Sequence, residues 1–200
     1  MIRPWVRDIG AELLHKSSLL DPGRLARDKL TITTFHRVLP ERELAEYPMP
    51  GIAVTPEELD WLLALFMKHY TPGTLGEMAT RFALGDRPDK PLMAITFDDG
   101  QRDNHRYARP VLAHNGVHAS FFVVADATEH DQTLWHDRVA YALRSALLRD
   151  RSRTESFLAG LGVTREDHDV IHACVTALKR MTPEQRDERL NALEALGGGA

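Results

Sequence analysis

Hydrophobic and polar residues follow two different spacings along the first two thirds of the chain. Apolar and β-branched runs predict strands at residues 30–35, 92–97 and 118–124. Apolar residues at helical spacing, with start and stop signals, predict helices from Thr55 to about His69, over 73–84 and over 104–114. Strands that alternate with helices are typical of a parallel sheet covered by helices, so we expect an α/β fold.

The remainder of the chain has a different pattern. Helical spacing recurs over residues 135–148, 154–161, 165–179 and 183–196, and we find no strand candidate after residue 125. Residues 4–20 form an amphipathic stripe that fits docking on the domain or on a membrane surface, and we expect docking on the domain. We therefore predict an N-terminal helix and linker at 1–28, a β/α region at 29–128 and a helical insertion or extension at 129–200.

Composition excludes several classes of protein. The 200 residues are 43% hydrophobic and 27% charged, which is ordinary globular material. A net charge of −4 provides no basic surface for nucleic acid. The single cysteine, Cys174, excludes an internal disulfide framework and a cysteine-cluster metal site. Because charged residues interrupt the first 20 positions and no run approaches the ~20 apolar residues of a membrane span, we expect a cytoplasmic location.

The most informative chemistry is a pair of adjacent acids, Asp98 and Asp99, between the apolar run 94–97 and Gly100. Catalytic groups in α/β folds gather at the carboxyl ends of strands. Two neighbouring carboxylates repel each other, and a cation or a proton stabilises them. One interpretation is thus a metal site with a general base. The other is a turn and helix N-cap, for which Asp and Gly are the usual residues.

The surrounding sequence is similar to a known family. TFDDG at 96–100, continued by QRDN at 101–104, resembles the first motif of the polysaccharide deacetylases, carbohydrate esterase family 4, which share NodB homology. Residues 30–38 resemble the first strand of that family, 54–65 its first helix, and 110–124 the helix, turn and strand after the acids. The resemblance covers about residues 29–145. It implies part of a (β/α) barrel of the polysaccharide deacetylase type, with a helical C-terminal insertion.

The resemblance implies metal-dependent hydrolysis of N-acetyl groups on a carbohydrate polymer. Within it, Asp98 corresponds to the general base and Asp99 to a metal ligand, and the expected metal is divalent, with zinc first. His36 corresponds to a histidine near the active site, although a core histidine bonded to the backbone fits its position equally well. His136, just after a predicted strand end, is a weaker candidate ligand in the insertion.

The family's second motif, a His-Ser/Thr-x-x-His-Pro run that completes the metal site, does not occur in these 200 residues. Accordingly, no Leu-x-His run follows such a motif here to supply the general acid. With three predicted strands, the barrel is expected to be incomplete. We therefore expect the isolated chain to bind metal weakly or not at all. We also expect slow or absent turnover, and self-association through exposed strand edges.

Other functions and ligand sets stay open at this point. The main alternative is a non-catalytic binding or interaction remnant of the same fold. A metal-free hydrolase with paired carboxylates is disfavoured, because adjacent strand residues point to opposite faces. Histidines four residues apart occur at His114 and His118 and at His168 and His172, and we expect both pairs to be structural. The expected partner is an N-acetylated polysaccharide or oligosaccharide, with the polymer unspecified.

Overall fold

The computed structural model describes residues 25–130, 132–164, 166–167 and 169–198. The predicted N-terminal helix at residues 4–20 lies outside this range. The described residues form two compact units. The first contains residues 25–44 and 52–123, and the second contains residues 45–51 and 124–198.

A four-stranded parallel sheet forms the centre of the first unit. In chain order, the elements up to residue 121 are β1 (Thr31–Phe35), β2 (Arg37–Val38), α1 (Glu41–Glu46), a 3-10 turn (Pro50–Ile52), β3 (Ala53–Val54), α2 (Pro56–His69), β4 (Thr71–Gly73), α3 (Leu75–Ala83), β5 (Leu92–Phe97), a π-helical turn (Asn104–Ala108), α4 (Arg109–His114) and β6 (Ser120–Phe121).

The central strand of the sheet is β5. Along its full length it pairs with β1, from Thr31 beside Met93 to Phe35 beside Phe97. The start of β5 pairs with β4 and its end pairs with β6. The predicted α/β fold is confirmed, and β5 pairs with β1, β4 and β6. β2 and β3 form a separate two-stranded parallel sheet.

Sequence reasoning missed one strand of the central sheet and misplaced two element boundaries in this unit. The sheet contains β4, which the sequence did not predict, because Pro72 and Gly73 are poor strand formers. Helix α3 accordingly begins at Leu75 rather than at residue 73. β6 is limited to Ser120 and Phe121 instead of 118–124. The helix predicted over 104–114 is present, as a π-helical turn followed by α4.

Alternate residues of β5 face two apolar clusters. One face packs against α2 and α4, and the other against α3, so all six residues of the strand are buried. The first cluster includes Met93, Ile95 and Phe97 with Leu59, Leu63 and Leu112, and the second includes Leu92 and Ala94 with Met78. This alternation follows the two-residue period of a strand. The buried strand ends at Phe97, so Asp98 is the first partly exposed residue after it.

Helix α2 forms where its sequence signals place it. Thr55 accepts a hydrogen bond from the Glu58 N–H, and the Glu58 carboxylate accepts one from the Thr55 N–H, which completes a capping box. Pro56 occupies the first turn and needs no hydrogen-bond donor there. The predicted helix from Thr55 to about His69 is therefore confirmed.

The second unit is helical over its described residues from 124 onward. Its helices are α5 (Ala125–Glu129), α6 (Trp135–Arg149), α7 (Arg151–Gly160), α8 (Val170–Lys179) and α9 (Pro183–Gly197). Helix α8 is shorter than the predicted 165–179, because Asp169 caps it by accepting from the His172 N–H. Cys174 packs in the apolar core of this unit, as expected. None of the described helices is both long and apolar enough to cross a membrane.

Candidate active site at the carboxyl end of the central strand

The two acids lie at the carboxyl end of β5, beside the end of β1. Phe35 pairs with Phe97, so His36 and Asp98 are the next residues on neighbouring parallel strands. The Asp98 N–H donates to the Phe35 carbonyl at 2.9 Å. The structure therefore brings the backbones of His36 and Asp98 together at the carboxyl end of the sheet. Their chemical roles stay predictions.

Three stacked phenylalanines form the last row of the sheet below this edge. The Phe35 and Phe97 ring centroids are 5.2 Å apart, and those of Phe97 and Phe121 are 4.9 Å apart. Each ring belongs to a different strand, β1, β5 or β6, at matching register positions. Aromatic stacking of this kind contributes beyond its buried area. The stacked rings hold the carboxyl ends of β1, β5 and β6 together, and the candidate site lies directly after these ends.

The chain turns sharply after Asp98 through two residues of positive φ. Asp99 has φ 72° and Gly100 has φ 66°. A positive φ is uncommon for a residue with a side chain and is tolerated best by Asp and Asn. At Gly100 there is no room for a side chain, because a Cβ would lie 2.7 Å from Val123 Cγ1 and 3.1 Å from Val123 Cα. The turn keeps Asp98 and Asp99 partly exposed at the strand end.

The loop that carries the acids ends at a buried carboxyl group, Asp103. Its Oδ2 accepts from Arg37 Nε at 2.6 Å, and its Oδ1 accepts from the Val38 N–H at 2.9 Å. Burial raises the pKa of Asp103, and the Val38 and Arg37 contacts oppose that effect. The end of the loop is thereby bonded to the residues that follow β1.

Asn104 adds a second buried polar side chain at this point, and it is 2% exposed. We orient its amide by its surroundings. In that orientation Nδ2 donates to the His36 carbonyl at 3.1 Å and to Asp103 Oδ1 at 3.2 Å. Sequence reasoning did not find Asp103 or Asn104 as site residues, since Asp and Asn are also common in turns. The available signal was that Asp103 and Asn104 lie within four residues after the TFDDG motif.

The donors present fit a divalent cation only in part. Aspartate carboxylates suit such an ion, but a tight site generally takes three protein ligands. In the part of the chain that the structure describes, no group of three His, Cys, Asp or Glu residues is arranged to hold a metal. These residues therefore do not complete a metal site by themselves.

Of the other histidines weighed as ligands, His114 ends α4 and His118 follows it in the first unit, and the rest lie in the second unit or outside the described residues. His136 is in the first turn of α6, where its ring meets Trp135 edge-on at a centroid distance of 5.8 Å. His168 lies outside the described residues. The His172 backbone N–H takes part in the cap of α8.

A comparison with known proteins finds a family model that matches the segment carrying the two acids. Residues 85–149 match the sequence model described as polysaccharide deacetylase, and this segment contains Asp98, Asp99 and His136. The resemblance to the polysaccharide deacetylases is confirmed. The segment that matches the polysaccharide deacetylase model thus includes β5, the acid loop of residues 98–103 and the start of the helical region.

One curated relative and one solved structure match part of this chain. "Putative polysaccharide deacetylase YxkH" of Bacillus subtilis (strain 168) is 25% identical over 132 residues, which is 66% of this chain and 39% of that protein. A solved structure, "Streptococcus pyogenes deacetylase PplD in complex with acetate", is 21% identical with a TM-score of 0.43, covering 55% of this chain and 50% of that chain. The matches therefore extend over half or less of either relative.

Proposed function

We propose that this chain takes part in the metal-dependent hydrolysis of N-acetyl groups on a carbohydrate polymer. The observation that carries the proposal is the position of Asp98 and Asp99. They follow a buried parallel strand at its carboxyl end, within the polysaccharide deacetylase segment 85–149. The curated relative YxkH supports the same activity class through its name.

The proposed roles follow from the chemistry of amide hydrolysis. The reaction needs a nucleophilic water, a base that takes its proton, and stabilisation of the oxyanion. A bound divalent ion would lower the pKa of water and stabilise the oxyanion. A carboxylate that ligates a cation stays ionised, which leaves its neighbour to exchange a proton. We assign the proton-accepting role to Asp98 and the ligand role to Asp99.

The metal itself is part of the proposal, with zinc as the expected ion. Asp99 provides one ligand, and no group of three His, Cys, Asp or Glu residues that could hold a metal is found among the described residues. His36, beside Asp98 at the neighbouring strand end, is proposed to border the site, and His136 is kept as a weaker candidate. Since one carboxylate binds zinc poorly by itself, the expected affinity of the 200-residue chain is low.

The proposal extends to architecture and partners. We propose that the first unit is part of a (β/α) barrel and that residues 129–200 are a helical insertion or extension. The substrate is an N-acetylated polysaccharide or oligosaccharide. Phe122 and Val123, which follow β6, are exposed apolar residues. Self-association of the chain through this strand end is therefore expected.

Acetate release from chitooligosaccharides, with zinc added, tests the proposal. We would compare the natural chain with Asp98→Asn, Asp99→Asn and the control Asp126→Asn, whose side chain is 81% exposed in the same family segment. The proposal predicts slow release that both site variants abolish and the control retains. Release that persists in Asp98→Asn would contradict the assigned base.

Two other results of this assay are informative. Fast release that either site substitution abolishes would show that the chain completes a metal site from its own residues, contrary to the weak binding expected here. A non-catalytic remnant of the fold would release no acetate and bind no zinc. That combination would replace the proposal with its alternative.

A further inference from the structure

We infer that Asp103 and Asn104 are positioning residues, which hold the loop of residues 98–103 in the conformation that presents Asp98 and Asp99. This inference rests on the proposed function, because the acids that it concerns are the proposed base and ligand. Neither Asp103 nor Asn104 needs to touch the substrate for this role.

The first argument is that both ends of the loop are bonded to one short segment, residues 35–38. At the start, the Asp98 N–H donates to the Phe35 carbonyl at 2.9 Å. At the end, the Asp103 carboxyl group accepts from the Val38 N–H at 2.9 Å and from Arg37 Nε at 2.6 Å. Both ends of the loop are therefore hydrogen-bonded to the last residue of β1 or to the residues that follow it.

The second argument is the burial of the two side chains. Asp103 is 7% exposed and Asn104 is 2% exposed. The Asn104 amide joins Asp103 to the His36 carbonyl, at 3.2 Å and 3.1 Å. A buried polar group is stable only when its hydrogen bonds are made, so this arrangement has few alternatives. It also connects the acid loop to His36, the other predicted site residue.

The third argument is the backbone between the two ends. Asp99 has φ 72°, a conformation that a residue with a side chain keeps only where its surroundings impose it. Asn104 then begins a π-helical turn, a feature that is frequent at functional sites. The bonds at Phe35 and at Asp103, together with the close approach of Gly100 to Val123, are the contacts that impose this conformation.

The experiment uses two substitutions in the full 200-residue chain and one matched control. Asp103→Asn keeps an oxygen for the Val38 N–H but removes the charge opposite Arg37. Asn104→Ala removes the amide. The control is Asp86→Asn, because Asp86 Oδ2 also accepts from an arginine Nε, that of Arg81, at 2.7 Å, in a more exposed ion pair outside the loop.

The decisive readout is NMR of the loop, at a temperature where circular dichroism shows every variant folded. We expect Asp99 to lose the chemical shifts and the three-bond coupling of a positive φ in both variants. We also expect amide exchange at Asp98 to rise at least about tenfold, because the loop opens locally. Asp86→Asn should leave both signals unchanged. If Asp103→Asn fails to fold, Asn104→Ala decides the question.

Zinc affinity is the second readout, and it separates this inference from the proposed function. Loss of a supporting contact behind a ligand typically weakens metal binding by about 10- to 100-fold, which is the effect expected for both variants. An unchanged Asp99 signal in both variants would overturn the inference. A lost Asp99 signal with unchanged zinc affinity would support the positioning role and contradict the ligand role of Asp99, which belongs to the proposed function. If the natural chain bound no zinc, the proposed function would fail, while the Asp99 signal would still decide the role of Asp103.

Discussion

Gly100→Ala tests whether the acid loop depends on a glycine for two separate reasons. Gly100 has φ 66°, in the region that disfavours any residue with a Cβ. Its position also lies against Val123, where a Cβ would be 2.7 Å from Cγ1, 2.9 Å from Cβ and 3.1 Å from Cα. The contact with Cα involves backbone, so a change of side-chain rotamer cannot relieve it.

The expected loss of stability is the sum of these two effects. Placing alanine at a positive φ costs about 1 kcal/mol. Forcing an extra methyl group into a packed site typically costs about 1–3 kcal/mol more. We therefore expect Gly100→Ala to lower the free energy of unfolding by about 2–4 kcal/mol.

Urea denaturation measures this loss, and the chain offers a matched control. Gly116 has φ 64°, but a Cβ there would meet nothing within 4 Å. Gly116→Ala should cost only about 1 kcal/mol. Adding Val123→Ala to Gly100→Ala should restore part of the loss, since it removes Cγ1 but leaves Cα. Equal losses at Gly100 and Gly116 would refute the close approach as a cause.

Three further predictions concern the units separately. Burial raises the pKa of the Cys174 thiol to about 11 from the ordinary 9.0, so the native chain should react with a disulfide reagent at pH 8 only on unfolding. Because the pKa of this thiol is higher in the folded than in the unfolded chain, the free energy of unfolding should fall as pH rises from 9.0 to about 11. Urea denaturation of Cys174→Ala should lack this fall. Leu193→Ala, in the core of the second unit, should cost about 2–5 kcal/mol in thermal or urea unfolding, and a loss under 1 kcal/mol would contradict its packing. Thr55→Ala removes the capping box of α2 and should cost about 1 kcal/mol, whereas an unchanged transition would show that the cap is not needed.

The parts of the fold predicted from sequence are those with local causes. β5 is a continuous apolar run, and α2 begins at a threonine cap followed by proline and glutamate. Such signals lie within a few neighbouring residues, so periodicity and capping rules detect them. The position of the acids directly after β5 follows in the same way.

The parts that sequence reasoning missed depend on contacts between distant residues. Arg37 and Asp103 are 66 positions apart, and no spacing rule relates them. β4 carries proline and glycine, and it becomes a strand because β5 provides hydrogen-bond partners for it. Tertiary pairing of this kind overrides weak local preference. The positive φ of Asp99 is likewise a property of the folded loop rather than of its residue type.

Zinc titration of the natural chain, followed by calorimetry, is the most direct test of the central claim that Asp98 and Asp99 form the base-and-ligand pair of a deacetylase site. The claim predicts weak binding that Asp99→Asn abolishes. Asp98→Asn and the exposed control Asp126→Asn should keep that binding. Zinc binding of the same affinity in Asp99→Asn and in the natural chain would contradict the claim.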